Sequence, residues 1–129
     1  MPTFIFNKLI RDKLKDEYVK LDHRATYIEL SESELLEALK QKIIEEAKEI
    51  PADGLKEEII SELADIEQVI EDIAKRYGIL DKEIVSAKQK KFEKKGGFAE
   101  GLFVERVELN DDDEWVEYYR KSPEKYREL

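Results

Sequence analysis

The fold is decided by residues 31–77, SESELLEALKQKIIEEAKEIPADGLKEEIISELADIEQVIEDIAKRY. Apolar residues recur there at the three- and four-residue spacing of amphipathic helices. Ser31 and Glu34 have the spacing of a capping box, which begins a first helix, and Pro51 ends it near residue 50. A second helix is predicted over about residues 55–77. The stretch therefore predicts two long helices joined by a short turn.

Shorter elements are predicted on either side of this pair. They are a helix over Asn7–Lys20, strands over Arg24–Leu30 and Gly101–Leu109, and a third helix from its N-cap Asp81 to Gly96-Gly97. The two strands are expected to pair. With no repeat or low-complexity linker, residues 1–129 are predicted to form one domain. The expected fold is an all-α helical bundle with a small two-stranded β element. Dimerisation would complete a four-helix core.

Composition narrows the classes of function. The formal net charge of −9 disfavours binding to a nucleic acid polymer. The absence of cysteine excludes disulfides and thiolate metal sites, and the single histidine removes most zinc sites. No segment resembles a signal peptide or is apolar over the roughly 18 residues that span a bilayer. We therefore expect a cytoplasmic protein that does not bind membranes.

Acidic residues fall on the apolar faces of the two long helices. A helical projection places Glu46 within the apolar arc of the first helix and Glu62 within that of the second. Glu49 and Asp65 follow three residues later, at the edges of the arcs. The same projection turns Glu45 away. A solvated acidic face is the alternative interpretation for any one of these residues.

Carboxylates on a face that packs against the protein interior are costly unless a cation is bound. Several together also repel one another. Because only oxygen ligands are available, Mg²⁺ is the expected ion, with Mn²⁺ as a substitute. Mg²⁺ keeps few protein ligands and often binds substrate phosphates, so a phosphorylated ligand is expected as well.

Four segments carry a resemblance to a known family. Residues 45–49 are E-E-x-x-E, residues 62–65 are E-x-x-D, and twelve residues separate them. This pairing resembles the MazG-like all-α nucleoside triphosphate pyrophosphohydrolases, a superfamily that includes phosphoribosyl-ATP pyrophosphohydrolases. Residues 7–13, NKLIRDK, and 94–98, KKGGF, resemble a branch of predicted house-cleaning pyrophosphatases. The chain lacks the proline that often follows NKLIRDK there, which predicts a longer first helix.

The resemblance implies a reaction and a set of roles. It implies Mg²⁺-dependent hydrolysis of a nucleoside triphosphate, possibly a non-canonical one, to a monophosphate and pyrophosphate. Glu46, Glu49, Glu62 and Asp65 would ligate metal. Glu45 would support the ligands from behind, bind a further ion or assist the attacking water. Either Glu45 or Glu49 would orient or deprotonate that water, and the residues leave that choice open. The family also implies at least a homodimer.

Basic residues are candidates for contacts with the substrate phosphates. One face of the third predicted helix carries Lys88, Lys91 and Lys95. The NKLIRDK segment near the N-terminus contributes Lys8 and Arg11. A solvated lysine face is the alternative for the first three. Two rival functions remain open at this point. One is phosphoribosyl-ATP pyrophosphohydrolase activity, and the other is a non-catalytic acidic helical interaction module.

Overall fold

The structure, a computed structural model, describes residues 1–129 and confirms the all-α class. It contains five helices and no strand: α1 (Leu14–Lys20), α2 (Glu32–Lys48), α3 (Lys56–Arg76), α4 (Asp81–Lys95) and α5 (Trp115–Arg120). Packing divides the chain into two units, Met1–Glu93 and Lys94–Leu129. None of the helices is both long and apolar enough to span a membrane.

Helices α2 and α3 form an antiparallel hairpin, the main packed element of the first unit. Arg76 at the end of α3 lies 3.6 Å from Glu32 at the start of α2, which fixes the antiparallel direction. Leu39, Val69 and Ala74 are the buried apolar side chains between the helices. Burial of these side chains is what holds the hairpin together, because most of the stability of a helix in a protein comes from the packing of its apolar face.

The capping box predicted at the start of α2 is present in the structure. The Glu34 backbone N–H donates to Ser31 Oγ at 3.3 Å, and the Ser31 N–H donates to Glu34 Oε1 at 2.9 Å. Hydrogen bonding to the carboxylate from the Ser31 backbone, and to a smaller extent from the Ser31 side chain, favours its ionised form and lowers the pKa of Glu34. In the turn to α3, a Cβ on Gly54 would collide with the Pro51 ring, so only glycine fits there.

The two predicted strands are absent, and this part of the prediction is wrong. Residues 24–30 and 101–109 have no regular secondary structure, and Ile28 and Phe103 are 82% and 90% exposed. Alternation of apolar and polar residues shows that a segment could be one strand of a sheet. It does not supply the additional strands or packed face that a two-stranded ribbon needs for stability.

The first helix is shorter than predicted. It begins at Leu14 rather than Asn7, and Asn7 has a φ of 45°, which is outside the helical region. Residues 1–13 therefore form an N-terminal arm without regular structure. At α4, Asp81 is the first helical residue rather than the N-cap, and the Leu80 N–H is capped by Glu83 Oε2 at 2.8 Å.

In the second unit, the aromatic side chains of the C-terminal segment pack against one another. The Trp115 and Tyr118 rings meet edge to face at 5.1 Å, and the rings of Tyr119 and Tyr126 lie 4.7 Å apart. Such ring pairs gain from both apolar burial and the aromatic quadrupole. This cluster accounts for the helical turns of α5 near the C-terminus.

Candidate metal centre

The acidic residues of the two helices meet at the turn end of the hairpin. Because α2 and α3 are antiparallel, the last turns of α2 face the first turns of α3. This brings Glu46 and Glu49 together with Glu62 and Asp65, which are at least 13 residues away in sequence. Glu46 is only 8% exposed, as its position in the apolar arc predicted.

The carboxylates form two overlapping groups, which we call the carboxylate cluster. In one group, Glu45, Glu46 and Glu49 each place an oxygen within 4.8 Å of the others. In the second, Glu46, Glu62 and Asp65 do the same. Glu46 belongs to both groups, so it is the centre of the cluster.

Glu45 lies in the cluster although the projection turned it away. It is half-buried, and its carboxylate is held by Lys42 Nζ at 3.3 Å and Lys8 Nζ at 3.7 Å. A projection gives only the direction of the Cα–Cβ bond. A long glutamate side chain with basic partners can bend around the helix toward them.

Glu62 is the least satisfied member of the cluster. Its Oε2 is buried and has no hydrogen-bond partner. The pKa of Glu62 is raised above 4.5, first by a hydrogen bond shared with Glu46, then by burial, and then by repulsion from Glu46, Glu49 and Asp65. A carboxylate in this position gains most from a cation, because both its buried oxygen and its excess charge are uncompensated.

Three basic side chains face the cluster. Lys42 reaches Glu46 Oε1 at 3.5 Å as well as Glu45, and the guanidinium of Arg11 donates to Asp65 Oδ1 at 2.6 Å. Lys42 was not among the predicted site residues. Its spacing to the glutamates, i to i+3 and i to i+4, is the sequence signal that identifies it.

The predicted phosphate-binding residues fall into two sets. Lys8 and Arg11 lie at the cluster, through their ion pairs with carboxylates. Every residue of α4 is exposed, and Lys88, Lys91 and Lys95 form no ion pair. Among the predicted phosphate-binding residues, Lys8 and Arg11 are thus the two that pair with carboxylates of the acidic site.

The donor set of the cluster fits a hard divalent cation. All available ligands are carboxylate oxygens, which Mg²⁺ and Mn²⁺ prefer, and two helices supply them from opposite sides. The buried Oε2 of Glu62 would gain the partner that it lacks. Two sets of residues are positioned to hold such an ion: Glu46, Glu62 and Asp65 from both helices, and Glu45, Glu46 and Glu49 from the end of α2.

The contribution of Glu62 to the stability of the metal-free protein is expected to fall as the pH rises, because the pKa of Glu62 is higher in the folded state than its unfolded value of 4.5. The folded state therefore binds this proton more tightly, and the resulting stabilisation is complete below about pH 4.5 and is lost as the pH rises through the folded pKa. Glu62→Gln cannot ionise and should lack this loss. Thermal unfolding in chelator from about pH 4 to 8 measures the difference. Parallel curves of unfolding temperature against pH for the two proteins would show that folding does not raise the pKa of Glu62.

Comparisons of the chain with protein-family models, with curated proteins and with solved structures found no match. The chemistry of the site therefore has to be derived from its own residues.

Proposed function

We propose that the chain is a Mg²⁺-dependent pyrophosphohydrolase that cleaves a nucleoside triphosphate to a monophosphate and pyrophosphate. The observation that carries the proposal is the buried, unpartnered Oε2 of Glu62 at the meeting point of carboxylates from two helices. Most buried polar atoms in proteins have a hydrogen-bond partner, so an unpartnered carboxylate oxygen at this point calls for one, and a bound cation would supply it. The E-E-x-x-E and E-x-x-D motifs and their resemblance to MazG-like enzymes support the same assignment.

The carboxylates of α2 and α3 would hold the ion between them. Glu46 and Glu62 contribute the buried oxygens, and Glu49 and Asp65 contribute the more accessible ones. A bound Mg²⁺ would supply neutralisation of phosphate charge and a lower pKa for a coordinated water. The four residues would also position the triphosphate, because Mg²⁺ retains sites for substrate oxygens.

Glu49 is the better candidate for the group that accepts a proton from the attacking water. It is exposed at the end of α2 and takes part in no ion pair. The carboxylate of Glu45 is already engaged in ion pairs with two lysines, Lys8 and Lys42. Glu45 then serves to position Lys8 and Lys42.

Basic side chains would neutralise the remaining phosphate charge. Lys8 and Arg11 are the first candidates, since they already lie at the cluster. The α4 lysines Lys88, Lys91 and Lys95 are exposed and form a second set. Cations beside the leaving pyrophosphate would stabilise charge that develops during the reaction.

A substrate panel tests the assignment. The protein is incubated with standard and damaged nucleoside triphosphates and with phosphoribosyl-ATP, with and without Mg²⁺, and pyrophosphate and inorganic phosphate are measured separately. Mg²⁺-dependent pyrophosphate release from triphosphates is expected. Cleavage of phosphoribosyl-ATP alone would assign the rival enzymatic activity. No cleavage of any compound would leave the acidic interaction module.

We also propose that two copies associate through α3. One face of this helix carries the exposed apolar residues Ile60, Leu63 and Ile70, and Tyr77 follows on the same side just after the helix, each at least 40% exposed. One charged residue, Glu67, lies among them. An unpartnered apolar stripe next to a two-helix hairpin is what a four-helix bundle requires from each half. The α2–α3 hairpins of two copies would together form that bundle.

Ile70→Glu is expected to convert the dimer to a monomer, because a charge would be buried at the centre of the stripe. Light scattering after size-exclusion chromatography should give about twice the chain mass of 15.2 kDa for the wild type and one chain mass for the variant. Val19→Glu, at a 75% exposed apolar position on α1, is the control and should remain a dimer. A monomeric wild type would refute the association.

A further inference from the structure

Two of the three cations at the carboxylate cluster come from the N-terminal arm, and one comes from α2. Lys42 sits one turn before the glutamates that it pairs with, and its side chain is only 18% exposed. The side chains of Lys8 and Arg11 are 43% and 58% exposed, and they reach the cluster from a segment without helix or strand. The side chains of the arm can therefore move away from the cluster more freely than the side chain of Lys42 can.

Lys42 is a fixed counter-ion. Its position on the same helix keeps its ammonium within reach of Glu45 and Glu46 in any state in which α2 is folded. Arg11 is not fixed in this way, since its only carboxylate partner, Asp65, is 54 residues distant. Exposed ion pairs are weak, so a more highly charged ion can displace Arg11 from Asp65.

The cluster has an excess of negative charge that a divalent cation could neutralise. Five carboxylates, those of Glu45, Glu46, Glu49, Glu62 and Asp65, face the three cations. The cluster thus keeps an excess of negative charge even with all of its basic partners in place. Asp65 is the member that an arriving metal ion and Arg11 would both require.

We propose that Arg11, assisted by Lys8, is an exchangeable counter-ion that holds the carboxylate cluster in the metal-free protein and turns to the phosphate chain of the nucleotide once a divalent cation takes its place. This inference rests on the proposed function. The guanidinium fork that pairs with a carboxylate also fits a phosphate, so the same group can serve both partners. Residues 1–13 are the segment that would move.

Such an exchange couples metal and nucleotide. Without nucleotide, Arg11 competes with the metal for Asp65 and weakens metal binding. With nucleotide present, Arg11 has a phosphate to bind, and the competition disappears. Removing Arg11 should therefore change the two affinities in opposite directions, which a purely structural role for the Arg11–Asp65 pair does not predict.

The test has two parts: Mn²⁺ binding without nucleotide is measured from the electron paramagnetic resonance signal of the free ion, and binding of a non-hydrolysable α,β-methylene nucleoside triphosphate to the Mn²⁺-loaded protein is measured by titration calorimetry. Arg11→Gln is compared with the wild type and with Lys15→Gln, which removes an equal charge from an exposed residue that pairs with no carboxylate. Circular dichroism checks that each variant folds. Arg11→Gln should bind Mn²⁺ alone about three-fold tighter and the Mn²⁺-loaded protein should bind the analogue about three-fold more weakly, as loss of one exposed ion pair implies.

Lys15→Gln should change neither affinity by as much. If the wild type binds Mn²⁺ and Arg11→Gln binds it no more tightly than Lys15→Gln does, the exchange is wrong although the metal site stands. Weaker Mn²⁺ binding by Arg11→Gln would also overturn it, because Arg11 would then support the metal-bound arrangement. If the wild type binds no Mn²⁺, the proposed function fails and the exchange fails with it.

Discussion

Glu62→Ala is expected to lower Mg²⁺-dependent pyrophosphate release by at least about 100-fold while α2 and α3 remain folded. Replacement of groups that merely support a metal ligand costs about 10- to 100-fold, so loss of a ligand should reach at least the upper end of that range. The helices should survive, because the change removes a carboxylate whose raised pKa reports repulsion and burial. Steady-state pyrophosphate assays together with circular dichroism measure the two effects.

The matched control is Glu57→Ala, which removes an exposed carboxylate from the same helix outside both the cluster and the apolar stripe. It should retain wild-type activity within a factor of about two, as surface substitutions far from a site usually do. Full activity in Glu62→Ala with an unchanged circular dichroism spectrum would remove Glu62 from the mechanism. Equal losses in both variants would show that total charge matters rather than the cluster.

Leu39→Ala is expected to destabilise the protein by about 2–5 kcal/mol. Leu39 is 4% exposed and is the largest of the well-buried side chains between α2 and α3. Its truncation removes apolar burial and leaves a cavity in a small core that cannot easily collapse around it. The free energy of unfolding from urea titrations is the quantity to compare.

Leu55→Ala serves as the control for this second change. It removes the same atoms from a side chain that is 68% exposed, and its effect should remain within about 0.5 kcal/mol. Equal effects for the two variants would mean that the α2–α3 contact does not hold the hairpin. Because the acidic residues meet only when the hairpin forms, Leu39→Ala should also lower activity at temperatures at which the variant is partly unfolded.

The hairpin and the acidic meeting point could be predicted because both follow from local rules. The capping box at Ser31 and Glu34 sets where α2 begins, and the helical period then determines which face Glu46 occupies. The same period on α3 places Glu62 and Asp65 on the side that turns toward α2. A short turn joining two amphipathic helices leaves the antiparallel hairpin as the simplest packing.

The sequence-based predictions are wrong or incomplete where a segment's structure depends on residues far away in the sequence. The alternation over residues 24–30 resembles a strand, yet nothing in a single segment supplies its neighbours. The apolar residues over residues 7–20 have helical spacing, but this spacing does not reveal that the backbone of Asn7 has a positive φ, which is outside the helical region. The pairing of Arg11 with Asp65 spans 54 positions and no local pattern encodes it. The sequence therefore indicates a phosphate contact for Arg11 but not its carboxylate partner.

The metal site formed by the carboxylates of α2 and α3 is tested most directly by titration calorimetry of Mg²⁺ into metal-free protein, with Glu46→Gln as the variant. Glu46 belongs to both groups of the cluster, so its loss disrupts every arrangement of ligands that the geometry allows. Saturable binding by the wild type and at least about tenfold weaker binding by Glu46→Gln are expected. No saturable binding by the wild type, or equal binding by the two proteins, would contradict a divalent cation held between α2 and α3.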